Sequence, residues 1–242
     1  MPSDPTPSAW TSSWKPALDF DTPAGRLLRE LVRAVPKGSR LTLFGSAPLQ
    51  ITLDPAFLSV DLDCFGDDGL ADLVTAKGLG DTKRAVYVQV CSQLNFRTSP
   101  LWRERAYVHP LEGRTIVLPH PVDILIGKLH RLEAKDLKAF RLVRDKTGHP
   151  TEEEMIRELQ EAVDLFRPGF DEEKGQDLKV NTRLLWREFF GNEIDPVEAI
   201  IKPALARRRA GYEKDVSATD HVAALRKLGG PDSPGAKGRR KS

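Results

Sequence analysis

Apolar and polar positions recur along this chain with two different periods, and the change of period divides it. Leu27, Leu28, Leu31, Val32 and Val35 fall at helical spacing behind Asp21-Thr22-Pro23, a capping residue followed by proline at the first helical position. Pro36-Lys37-Gly38-Ser39 closes that helix, and Leu41 to Phe44 reads as a short strand ending at Gly45. Pro48 and Pro55 confine the next segment to a turn or two of helix. From Phe57 to Phe65 the period becomes two, with Val60, Leu62 and Cys64 on one face and Ser59, Asp61 and Asp63 on the other. A glycine-bounded helix comes next. Ala85 to Phe96 is then the longest expected strand, apolar through Val86, Val88, Val90, Leu94 and Phe96, and amide-rich through Gln89, Gln93 and Asn95. Two short strands, 105–108 and 115–118, are expected around the turn Pro110-Leu111-Glu112-Gly113.

Beyond Pro121 the pattern is helical. Ile124, Leu125, Leu129 and Leu132 share a face, helical spacing continues from Leu137 to Val143, and Thr151 with Glu154 makes a capping-box pattern. Arg183 to Phe190 and Pro196 to Arg209 read as the last helices. The predicted class is α+β: a mixed-sheet domain over residues 21–120 with helices on one side, then a helical C-terminal region over 121–212. A flexible lead over 1–20 and a basic, largely disordered tail over 213–242 complete the expectation.

Composition changes this picture little. With 40% apolar and 30% charged residues the chain is of ordinary globular type. No stretch approaches a membrane span, and the polar, Pro/Ser-rich N-terminus is unlike a signal peptide, so a cytoplasmic protein with no membrane partner is expected. The net charge of +2 is misleading, because residues 226–242 hold six cations against Asp232 and leave the rest slightly acidic. A weak RNA contact, if there is one, belongs to that tail. Cys64 and Cys91 lie in expected strands and read as core residues, with no disulfide framework or zinc spacing.

The chemistry concentrates in "LTLFGSAPLQITLDPAFLSVDLDCF", residues 41–65. Carboxylates at i and i+2 of a strand point the same way, where they repel unless a cation joins them. Mg²⁺ prefers carboxylate oxygens together with substrate phosphate. Gly45-Ser46, ending the preceding strand, offers backbone N–H groups and a hydroxyl to a phosphate. An Asp-x-Asp pair alone is common at polar strand ends and decides nothing by itself.

The combination, in this order, resembles the nucleotidyltransferase superfamily of the DNA polymerase beta-like fold. "VLPHPVDILIGKLHRLEAKDLKAFRLV" (residues 117–143) is similar to the stretch of minimal and toxin-type bacterial members in which proline opens a helix carrying Lys-Leu, followed by Lys-Asp-Leu. The resemblance covers about residues 23–145; residues 150–242 match nothing recognisable. It implies Asp61 and Asp63 as catalytic metal ligands, Gly45, Ser46, Lys128 and Asp136 as nucleotide-binding residues, and Mg²⁺ or Mn²⁺ as cofactor. It further implies an NTP substrate, a protein, RNA or small-molecule hydroxyl as acceptor, and a toxin–antitoxin or defence setting. One departure matters. The family brings a third carboxylate from a neighbouring strand, and the strand expected here offers Gln89, Cys91, Gln93 and Asn95. Glu104 and Glu112 are the acids left to complete the site. Two expectations follow: an active transferase, or a degenerate relative that binds a nucleotide or a protein partner without turnover.

Overall fold

The computed structural model describes residue 10 and residues 14–167 and 177–218, the last seven of these by backbone alone. Helix α1 (Pro23–Ala34) starts on Thr22, whose side chain accepts the Gly25 N–H at 2.9 Å, as the cap signal predicts. Five strands follow: β1 (Arg40–Leu43), β2 (Asp61–Gly66), β3 (Tyr87–Val90), β4 (Tyr107–Leu111) and β5 (Arg114–Leu118). Between them lie the short helices α2 (Ala47–Thr52), α3 (Leu70–Ala76) and α4 (Trp102–Arg105). The strands form one mixed sheet of order β3-β2-β1-β5-β4. β1 runs antiparallel to β2 and parallel to β5, β2 runs parallel to β3, and β4–β5 is a hairpin. The hairpin turns on Glu112 and Gly113, both at positive φ (49° and 78°), the geometry that matches strand twist.

The helices beyond the sheet are α5 (Pro121–Leu129), α6 (Ala134–Thr147), α7 (Glu152–Glu161), α8 (Leu178–Leu185, continued by a π-helical turn over Trp186–Phe190) and α9 (Lys202–Ala218). The predicted capping box closes in α7: Thr151 accepts the Glu154 N–H, and the Glu154 carboxylate accepts the Thr151 N–H. α9 runs on to Ala218, past the expected tail boundary at 213. Residues 219–242, and with them most of the expected tail, lie outside the described residues. No helix among the described residues is long and apolar enough to cross a membrane.

Two strands are shorter than their periodicity predicts. Residues 57–60 lie outside β2, because Ser59 turns inward and donates its hydroxyl to the Asp61 carbonyl at 2.8 Å, leaving Val60 exposed. The Ala85–Phe96 run ends at Val90. Ser92 then caps a 3₁₀ turn over Gln93–Asn95, which leaves Leu94 exposed and carries Phe96 into a separate aromatic cluster.

Packing explains where the site lies. Leu62 and Cys64 of β2, Leu41 and Leu43 of β1 and Val88 of β3 face a core shared with α1 and α3. The alternate β2 positions, Asp61, Asp63 and Phe65, therefore face the other way. There Phe44, Phe65, Phe96, Trp102 and Val117 form a small aromatic cluster. Gly127 of α5 sits over Phe96, where an added Cβ would lie 3.5 Å from its ring. α1 and α3 of the sheet domain thus pack on one face, and α5, from the helical region, crosses the side that carries the carboxylates. Within the expected lead, Trp14, Leu18 and Phe20 pack on the sheet core, and Trp10 packs on the helical core.

Candidate functional site

A cavity of about 450 Å³ opens on that second face. Its lining joins the end of β1 (Phe44, Gly45, Ser46), the approach to β2 and its start (Leu58 to Asp61, Asp63), β3 (Gln89), the following turn (Asn95, Phe96), α5 with its exit (Ile124, Gly127, Lys128, Arg131) and the start of α6 (Lys135). Gly45, Ser46, Asp61, Asp63 and Lys128, singled out by the sequence, all line it. Asp136 stands immediately behind.

Gly45 has φ of +71°, which glycine alone adopts without strain, and a Cβ there would lie 2.1 Å from Asp63 Oδ2. The absence of a side chain is what lets the β1 end and the carboxylate meet. Ser46 starts α2 but makes no side-chain cap bond, so its hydroxyl is free for another partner. Lys128 supplies it: Nζ donates to Ser46 Oγ at 2.9 Å across 82 residues of chain. The same ammonium pairs with Asp136 Oδ1 at 3.3 Å.

Asp136 is 0% exposed and held from three directions. The Arg131 guanidinium grips both oxygens (Nε–Oδ2 and Nη2–Oδ1, each 3.2 Å), and the Glu133 N–H donates to Oδ2 at 3.0 Å. Burial works against its charge, but the Arg131 bonds, the Lys128 charge and the Glu133 amide together hold the carboxyl below the usual range. Asp136 is therefore a fixed anion that aims Lys128 and Arg131. Its neighbour Lys135 pairs instead with Glu133 at 3.6 Å. Burial pulls the Lys128 pKa down, partly offset by Asp136.

The other carboxylates are in a different condition. Burial, and then the charge of Asp61, push Asp63 up to about 6. Among the described residues neither Asp61 nor Asp63 forms an ion pair. Lys128 and Arg131 reach Asp63 only at longer range, and its side-chain neighbour is Cys91 Sγ at 3.8 Å. Burial pushes that thiol up to about 11, so it stays protonated. Two hard oxygen donors with no ion-pair partner among the described residues suit a divalent cation that completes its shell from water and phosphate. Among the described residues no third acid joins them. Gln89 stands beside Asp63 in the β2–β3 register. Glu112 pairs with Arg33 at 3.2 Å in the hairpin turn, and neither it nor Glu104 lines the cavity. No group of three or more His, Cys, Asp or Glu side chains placed for a metal occurs among the described residues.

Sequence reasoning missed Arg131 and Lys135. Arg131 was findable as a cation three residues after Lys128, on the same helical side. Lys135 reaches the cavity only because the chain reverses between α5 and α6, with Leu132 at φ +44°. Comparison with family models, curated proteins and solved structures returns no match.

Proposed function

We propose that this chain is a Mg²⁺-dependent, nucleotidyltransferase-like protein of the DNA polymerase beta-like type. In this reading it moves a nucleotide from an NTP to a hydroxyl of a protein, RNA or small molecule. The observation that carries it is the Lys128–Ser46 contact, which places a hydroxyl and a buried-stem lysine on the same cavity as the carboxylates Asp61 and Asp63. Ser46 and Lys128 bind phosphate oxygens, Arg131 adds charge at the cavity mouth, and Asp136 keeps both cations aimed. Asp61 and Asp63 hold the cation, which when bound neutralises phosphate charge during in-line displacement. Neither sequence nor geometry selects the acceptor, and a toxin–antitoxin or defence role rests on the resemblance alone.

A second reading, nucleotide binding with little or no turnover, is favoured by one feature: an amide, Gln89, stands where β3 runs beside Asp63. A positioned general base contributes about 10²–10⁴-fold, so its absence leaves slow transfer sustained by phosphate positioning. The test is label transfer from α-³²P NTPs. Weak labelling that requires Mg²⁺ or Mn²⁺, Asp61 and Lys128, and that rises in Gln89→Glu, agrees with the proposal. Vigorous multiple-turnover labelling rejects the second reading. Labelling that persists in Asp61→Asn rejects the transferase itself.

A further inference from the structure

The cavity has two walls of unlike chemistry. Lys128, Arg131 and the carboxylate pair make one. The other is made by Leu58 and Val60, which approach β2 with side chains 82% and 64% exposed. Ser59 between them is buried and donates its hydroxyl to the Asp61 carbonyl, while both neighbours are exposed. Single exposed apolar residues are ordinary, but two flanking a buried serine at the edge of a polar cavity are not required by the fold. Each leaves apolar area in water at a cost of about 25 cal/mol per Å². Facing the same space, the exposed Asn95 carries a primary amide with donors and an acceptor.

We propose that this wall is the seat of the nucleobase and sets which NTP is accepted. Leu58 and Val60 cover the flat apolar face of the base, and the Asn95 amide reads its polar edge. The partition of the cavity supports this. Triphosphate and cation are drawn to the charged residues, which leaves the base, planar and weakly polar with hydrogen-bonding edges, for the uncharged part of the lining, a surface of matching character. A cavity of about 450 Å³ lies within the range that encloses a small-molecule ligand. The inference rests on the nucleotide reading given above.

The experiment separates the two. Full-length protein with Mg²⁺ is titrated by calorimetry with ATP, CTP, GTP and UTP in turn, and with inorganic tripolyphosphate, which has phosphates but no base. The wild type, Leu58→Ser/Val60→Ser and Asn95→Ala are compared. All three substituted side chains are exposed, so stability is expected to change by no more than about 0.5 kcal/mol per site. The double variant should weaken the preferred NTP about tenfold while leaving tripolyphosphate within about twofold. Asn95→Ala should change the ranking of the four NTPs. An equal loss for NTPs and tripolyphosphate, or no loss for either, overturns the base seat but leaves the nucleotide reading standing. Loss of acceptor labelling with NTP affinity intact assigns the wall to the acceptor and also overturns it. Failure of the wild type to bind any of the five ligands removes the nucleotide reading, and this inference with it.

Discussion

Two places in this molecule bring carboxylates together, and they solve the same electrostatic problem in opposite ways. In the first, Asp123 of α5 and Glu158 of α7, both buried, meet one guanidinium. Arg105 donates to Asp123 through Nη2 (2.6 Å) and Nε (3.1 Å) and pairs with Glu158 through Nη1. Thr98 adds a bond to the Asp123 carbonyl at 2.8 Å. Burial still pushes Asp123 up to about 6 against the pull of Arg105, but the cluster is internally paired and opens on none of the cavity described above. In the second, Asp61 and Asp63 face open space with no ion-pair partner among the described residues. The paired cluster belongs to the fold, joining the 97–105 segment to two helices. The unpaired one is, in the reading proposed above, where a cation would bind.

That contrast can be broken at several points, and the largest effect should come from the paired cluster. Asp123→Ala removes the doubly bonded partner of the buried Arg105 guanidinium, leaving Glu158 alone to balance it, and should cost about 3–5 kcal/mol by denaturant unfolding. At about 2–4 °C per kcal/mol for a chain of this size, the midpoint should drop by about 6–20 °C. A neutral result would mean that Arg105 is not essential to joining α5 and α7, and the contrast would fail on its structural side.

Gly45→Ala comes next. The added methyl meets Asp63 Oδ2 at 2.1 Å on a backbone at φ +71°, so a loss of about 1–3 kcal/mol is expected. Circular dichroism should still report a folded chain, while stabilisation by Mg²⁺ plus NTP disappears because Asp63 is displaced. Retention of that stabilisation would show that the β1 end need not approach the carboxylate.

The smallest effect is a pH dependence. The folded Asp63 pKa, about 6, lies above the ordinary carboxylate value. The folded state therefore holds its proton more tightly than the unfolded chain, and the benefit, complete at low pH, is lost as pH rises through about 6. Metal-free Asp63→Asn should lack that loss and, above pH 6, unfold at a slightly higher temperature than the wild type. A parallel pH profile would show that the carboxylate is not under the repulsion inferred for it.

What the sequence disclosed, and what it hid, divides along similar lines. The helix start at Thr22, the capping box at Thr151 and Glu154, and the alternation that turns Asp61 and Asp63 away from Leu62 and Cys64 are local, each within a few residues, and each forms as read. The strand ends were not legible. Period-two spacing continues through Ser59 and Gln93, and the short-range side-chain bonds that turn the chain there, Ser59 to the Asp61 carbonyl and the Leu94 N–H to Ser92, leave that spacing unbroken. The Arg105 cluster was invisible for a related reason. Its partners lie 18 and 53 residues away, and long-range ion pairing leaves no periodic mark. The site was legible in its parts but not in its order: nothing local shows that Asp136 directs Lys128 to Ser46, or that Arg131 completes the grip.

The most direct test of the account is thermal denaturation of the full chain with Mg²⁺, with NTP, and with both. A ligand bound only by the native state adds about 2.7 kcal/mol at a hundredfold excess over its Kd. Mg²⁺ and NTP together should raise the midpoint by more than the two separate shifts combined, and Asp61→Asn/Asp63→Asn should abolish that excess without lowering the metal-free midpoint. An excess that survives in the double variant, or a double variant that loses its fold, would contradict the central claim that this open carboxylate pair is a cation and nucleotide site.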